Sequence, residues 1–301
     1  MVDDGVLLPF VELEFTNGLG PAEGRYLVRP PDADPVARTA AAPGSGIGPT
    51  VPVGSADVLL IRVEGGAPAS SRWAGRGRAR RIEGAAAPAP VPLYRAALLL
   101  GTRAYPDRRA AAAELDGWRQ RPQDAAPLVD AALAVLNRAV RAYRAAAADP
   151  YVVEVARGDA RAVRVGYGGE PLSRGAWDDA VQLPDDRPRR APRAERLRPV
   201  EIVADVLARR REVLDGEDVL LRAVLDIEQG RPRVAAAQLA LAVALLRDAR
   251  EGPGARLDGI DARVEALRRG LAGGQPEGAS CEELNALARE VGEAIDAWRA
   301  G

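Results

Sequence analysis

The apolar residues of this chain change their spacing once, and the change coincides with a break in composition. Up to residue 183, short strand-like runs such as "FVELEF" (10–15), "ADVLLIRVE" (56–64) and "RAVRVGY" (161–167) recur around two helical stretches. From residue 199 on, every apolar stripe falls at helical spacing. Between them stands "PDDRPRRAPRAERLR" (184–198), a proline- and arginine-rich stretch with no apolar face. A period of two builds sheets and a period near 3.6 builds helices. The chain therefore predicts an α+β class: a β-rich domain with a long helix over 1–183, a linker at 184–198, and an all-helical bundle over 199–301. Its 301 residues suit about two domains.

In the first part, "FVELEF" and "GRYLV" (24–28) are joined by "TNGLGPAE", and the turn residues predict a β-hairpin between them. Further strands are expected at 56–64 and 92–100. The connectors 30–54 and 65–92, rich in Pro, Gly, Ala and Ser, are expected to be disordered. Helices are expected at 107–120 and 125–148. The second has Asp124 as N-cap and a stripe of Val129, Leu133, Leu136, Val140, Tyr143 and Ala147; Asp149-Pro150 ends it. "YVVEVA" (151–156) reads as strand or helix. In 161–167, Ala162, Arg164 and Gly166 fall on one side and Val163, Val165 and Tyr167 on the other, with 176–183 as the partner strand.

In the second part, helices are expected at 200–214, 217–229, 232–249 and 255–270, with a last one from Ser280. Pro199 stands near the start of the first and Gly216 is expected to stop it. Gly230 and Pro232 punctuate the next two. Ser280 and Glu283 have the spacing of a capping box. The last helix carries Leu284, Leu287, Val291, Ile295 and Trp298, close to a heptad seam; packing of Trp298 within the bundle itself is the favoured reading, and a surface for a protein partner or self-association is the alternative.

Composition excludes several chemistries. Histidine is absent, which removes the commonest general base, the Ser-His and Cys-His pairs, and most zinc and iron sites. No cofactor, metal or catalytic residue is expected. The single cysteine, Cys281, forbids an internal disulfide and fits a reducing compartment. Near a helix start its thiol pKa would fall, but Glu282 and Glu283 oppose that. The start "MVDDGVLLPF" is acidic where a secretory leader is basic. The longest nearly unbroken apolar run, Val234–Leu246, is well short of the roughly 20 residues that span a bilayer. A cytoplasmic location without membrane contact follows as the expectation.

"GYGG" (166–169) invites comparison with a phosphate-binding loop. Such a loop needs a helix N-terminus after the glycines; here Glu170-Pro171 and another strand-like run follow, so a hairpin is expected. "PGSGIGP" (43–49) has no helix after it either. The pairs Asp178-Asp179 and Asp185-Asp186 read as solvated surface, since neighbours on a strand diverge.

The basic residues are all arginine, 42 against 43 acids, for a net charge of −1. Arg72, Arg76, Arg78, Arg80 and Arg81 surround Trp73, a pattern compatible with weak anion or nucleic-acid contact through counterion release and stacking. A second arginine cluster lies in the linker. A solubilising role is favoured for both.

The stretch "GEDVLLRAVLDIEQGRPRVAAAQLALAVALL" (216–246) resembles a tetratricopeptide-type helical hairpin, with Gly230 at the turn and small Ala223, Ala235 and Ala242 at close-packing places. One unit is present, where a solenoid needs three or more. "LNRAVRAYRAAAADPYVVEVARGDARAVRVGYGGEPLSRGAWDDA" (136–180) and "VLDIEQGRPRVAAAQLALAVALL" resemble a family of uncharacterised actinobacterial proteins. That resemblance implies a recurring architecture and brings no activity, cofactor or site residue. The function favoured is a non-enzymatic interaction or scaffold protein. An RNA- or nucleotide-associated accessory protein is second. An enzyme using carboxylates from several segments is third.

Overall fold

The computed structural model describes residues 6–28, 56–65, 91–184, 193–249, 252–273 and 277–300. The chain is of mixed α+β class and divides into two compact units, Met1–Arg187 and Pro188–Gly301. Among the described residues no helix is long and apolar enough to cross a membrane.

Among the described residues, the first unit is a six-stranded antiparallel sheet with two α-helices. Its strands are β1 (Leu8–Phe15), β2 (Gly24–Val28), β3 (Asp57–Glu64), β4 (Leu93–Leu99), β5 (Ala162–Gly168) and β6 (Asp179–Gln182), in the order β2-β3-β4-β1-β5-β6. The expected β1–β2 hairpin does not form. β1 pairs with β4 on one side and β5 on the other, while β2 pairs with β3. The reason lies in burial. Seven of the eight β1 residues are buried, which requires a neighbour on each side, whereas β2 is exposed over its middle and takes an edge.

One face of the sheet is built from Val11, Leu13, Phe15, Ile61, Leu98 and Val165. Helix α1 (Arg108–Gln120) lays Ala111, Leu115 and Trp118 on it, and α2 (Ala126–Ala147) lays Val129, Ala132, Leu136 and Val140. Asp107 caps α1, its Oδ1 accepting from the Ala110 N–H at 2.7 Å. Asp124 does not cap α2. It sits in a 3₁₀ turn, Pro122–Ala125, and pairs with Arg121 at 3.2 Å. Pro127, in the first turn of α2, sets the later start. The end of the expected stripe leaves the core: Tyr143 and Ala147 are exposed.

"YVVEVA" is neither strand nor helix; side chains of α2 bond the backbone of Val152 and Val155, and Asp149 and Asp159 bond the N–H groups of Tyr151 and Ala156. The wholly buried Asn137 donates to the Val155 carbonyl and accepts from the Val155 N–H, each at 2.9 Å. Two turns on, Arg144 donates to the Val152 carbonyl at 3.3 Å and to Glu154 at 2.7 Å. Side chains thus take the place of a neighbouring strand for the bonded groups of this segment.

The second unit holds α3 (Arg193–Leu207), α4 (Asp215–Glu228), α5 (Pro232–Asp248), α6 (Ile260–Ala272) and α7 (Glu277–Ala300). The last residues expected in the linker, 193–198, are helical, and Pro199 lies inside α3. The helix expected over 200–214 stops at Leu207. Arg209 turns left-handed (φ 56°), and Arg210 closes the end by donating from its backbone N–H to the Asp205 carbonyl and from its side chain to the Asp205 carboxylate. Gly216 stops nothing. It sits in the first turn of α4, where a Cβ would come within 2.5 Å of Leu246 Cγ and 2.8 Å of the Ala242 carbonyl, so the glycine lets α4 and α5 approach. Gly230, at φ 65°, makes the α4–α5 turn.

Ala223, Ala235 and Ala242 are fully buried between these two helices, and α6 and α7 complete one core. Leu257, expected in a helix, is buried in the turn before α6, because left-handed Gly259 delays the helix to Ile260. The expected capping box at Ser280 is absent. α7 has already begun at Glu277, so Ser280 is a buried interior residue.

Candidate functional site

Alternation in the strands places two different surfaces on the two faces of the sheet. The face away from α1 and α2 carries Phe10, Glu12 and Glu14 from β1, Leu60, Arg62 and Glu64 from β3, Arg95, Ala97 and Leu99 from β4, and Arg164 from β5. Glu12 and Glu14 are buried, yet neither lacks a counter-ion. Arg164 bonds Glu12 at 2.9 Å and Glu14 at 3.2 Å, and Arg62 approaches Glu12 at 3.5 Å. Arg95 lies 3.3 Å from Glu14 and 3.1 Å from Glu64. Arg62 completes the ring at 3.3 Å from Glu64. Burial pushes the Glu12 carboxyl above its usual 4.5, against the opposing pull of Arg164, Arg95 and Arg62.

The connection between β5 and β6 folds over this face. Leu172 and Trp177 pack with Phe10, Leu60, Ala97 and Leu99, and Trp177 stacks on Phe10 with ring centres 5.5 Å apart. Arg62 donates to the Arg174 carbonyl at 3.2 Å, tying β3 to the connection. The ion network therefore joins four strands and the segment above them. Each carboxylate is held by guanidinium groups, so the arrangement cross-links the sheet and presents no unopposed acid or base.

The glycines of "GYGG" serve the same packing. β5 and β6 pair antiparallel, Gly166 opposite Ala180. A Cβ on Gly166 would meet the β6 backbone, with Ala180 Cα at 2.8 Å, and one on Gly168 would come within 3.3 Å of Trp177 Cα. The hairpin reading holds, with a 3₁₀ turn, Glu170–Arg174, inside the connection. The carboxylates that follow are surface groups neutralised by α1: Arg108 bonds Asp178 at 3.0 Å and Arg119 bonds Asp179 at 2.8 Å. No group of three or more metal-ligating side chains occurs among the described residues.

The stripe on α7 faces inward. Leu284, Leu287, Val291 and Ile295 are buried in the bundle's own core, so they are not free to receive a partner. Trp298 is half-buried, with the Arg299 guanidinium 5.8 Å from its ring centre. Arg299 anchors this end of α7 to α4 through Glu217, at 2.6 Å. Cys281 lies a full turn inside α7 and packs against the core. Arg72, Arg76, Arg78, Arg80 and Arg81, the connectors 30–54 and 66–90, "PGSGIGP" and Asp185-Asp186 lie outside the described residues.

Two apolar stretches of the second unit, read from the sequence as helices, leave large side chains exposed in the structure. From Val200 to Leu207, α3 has only Glu201 and Asp205 as polar residues, and Val200, Val203 and Leu207 are 63%, 56% and 79% exposed. Helix α5 is apolar on every side between Val234 and Leu246 except at Gln238, and Val234 and Leu241 face outward. The signal was there in both: a helix whose apolar residues spread wider than one face asks for more cover than one core provides. The ion network likewise announces itself as charges at every second place in "FVELEF" and "LIRVE". Comparison with family models, with curated proteins and with solved structures gives no match.

Proposed function

We propose that this chain is a non-enzymatic protein-interaction or scaffold protein, with its contact surface on the helical unit. The observation that carries the reading is α3. Its apolar arc spans roughly half of the helix circumference, and none of its described side chains enters the core shared by α4, α5, α6 and α7. Val200, Val203 and Leu207 follow one another at i, i+3 and i+7, the spacing of anchors that an amphipathic helix lays into a groove. We read the two units as separate domains, a β-rich one and a helical bundle, the ion network stiffening the first while the second makes contacts. A cytoplasmic setting belongs to the same proposal, on the single cysteine. So does the kinship with an actinobacterial family drawn from residues 136–180, which adds no activity.

The test is affinity capture by the full chain and by a Val203→Glu, Leu207→Glu double variant, read by quantitative mass spectrometry. Both side chains are exposed, so the unfolding curve should not move. A partner retained by the wild type and lost by the variant supports the reading. Identical capture by the two overturns it.

A further inference from the structure

We infer that the outer face of α5 pairs with the same face of a second copy of this chain, antiparallel. This rests on the reading of the chain as an interaction protein but on a different helix. The inner face of α5 is buried in the chain's own core through Ala235, Leu239, Ala242 and Leu246. Its outer face presents Val234, Ala237, Leu241 and Ala244, all exposed. These follow at i, i+3, i+7 and i+10, the spacing of a coiled-coil seam. Large and small residues alternate along it. That alternation selects the orientation. In an antiparallel pair with its two-fold at the level of residue 239, Val234 faces Ala244 of the second copy and Ala237 faces Leu241. Every large side chain then meets a small one, as close packing requires. A parallel pair sets alanine on alanine and leaves gaps.

Charge points the same way. Arg233 and Asp248, at opposite ends of the seam, are exposed, and neither has an ion-pair partner among the described residues. The antiparallel pair brings Arg233 within three residues, about 4.5 Å along the axis, of Asp248 in the second copy. It also sets Arg233 near the second copy's helix C-terminus, where a cation is favoured. Parallel pairing would place like charges side by side. One helix seam covers less than the roughly 1,200 Å² of a standard interface, so the association is weak, with a dissociation constant in the micromolar range.

Sedimentation equilibrium of the full chain over about 1–500 µM, bracketing that range, reads the result. The mass should climb from 31.7 kDa towards twice that value. Leu241→Glu should weaken association more than about tenfold, with thermal unfolding at low concentration unchanged because the side chain is exposed. Arg233→Glu should weaken it, and Arg233→Glu with Asp248→Arg should restore it. A monomer at every concentration overturns the inference, as does association that survives Leu241→Glu. Loss of association in the Val203→Glu, Leu207→Glu variant with Leu241→Glu unaffected would move self-association to α3, overturning this inference while leaving the interaction reading intact.

Discussion

Replacing Asn137 with alanine should destabilise the first unit and free the segment after α2. The Asn137 amide is wholly buried and bonded twice to Val155, each bond 2.9 Å. Alanine removes both partners and leaves a backbone N–H and C=O without replacements. An orphaned buried group costs about 1–3 kcal/mol, so the pair costs about 2–6 kcal/mol. Val155 is only half-buried, and water can reach part of the vacated space, so the lower half of that range applies: about 2–4 kcal/mol. For a unit of this size that lowers the melting temperature by roughly 10 °C. Urea unfolding of the full chain gives the energy, and hydrogen exchange at the Val155 amide reports the local effect. Asn137→Asp is the companion. Ionised, it accepts from the Val155 N–H but cannot donate to the carbonyl; burial raises its pKa, so the protonated form that can donate prevails in acid. Its stability should approach wild type at low pH and fall as pH rises through that raised pKa. Should Asn137→Ala unfold within about 0.5 kcal/mol of wild type, with exchange at Val155 unchanged, the account of this segment is wrong.

Glu12→Gln tests the buried network. A carboxyl whose folded pKa lies above 4.5 binds its proton more tightly in the folded state. The stability it contributes is complete below 4.5 and is lost as pH rises through the raised value. The variant lacks this slope, so its stability relative to wild type should improve from pH 4 towards neutrality; a pH-independent difference in urea titrations contradicts the assignment. Trp298→Ala should cost about 1–2 kcal/mol, less than a fully buried tryptophan, and leave the mass in light scattering unchanged. Unaltered stability, or a change of mass, would count against a ring packed within its own bundle.

Features decided by neighbours in sequence were legible without coordinates. β5 and β6 pair as their alternation indicates, because the strands are joined by one short connection and Gly166 admits the second backbone. Gly230 turns between α4 and α5, since a positive φ there and Pro232 opening the next helix are local requirements. The strand ranges at 56–64 and 92–100 hold to within a residue at either end for the same reason. The small residues Ala223, Ala235 and Ala242 also announced the close α4–α5 contact, because only two helices meeting tightly need such a row.

What depends on distant partners could not be read locally. Nothing in "FVELEF" says that β1 takes β4 and β5 as neighbours, since those residues lie some eighty and more than a hundred and fifty positions away. The bond between Glu12 and Arg164 spans 152 residues, and that pairing turns two glutamates from surface charges into buried cross-links. Asn137 looked like one polar residue on an amphipathic helix until Val155 folded back to it. The last helix shows the limit most plainly. Its stripe at 284, 287, 291 and 295 follows from the sequence, but an apolar stripe is blind to whether its cover comes from its own chain. The tertiary structure covers that stripe with α4, α5 and α6, and leaves Val200, Val203 and Leu207 of α3 and Val234 and Leu241 of α5 exposed among the described residues. Periodicity establishes which side of a helix avoids water; only the packing of the whole chain determines which of those sides is left to meet another molecule.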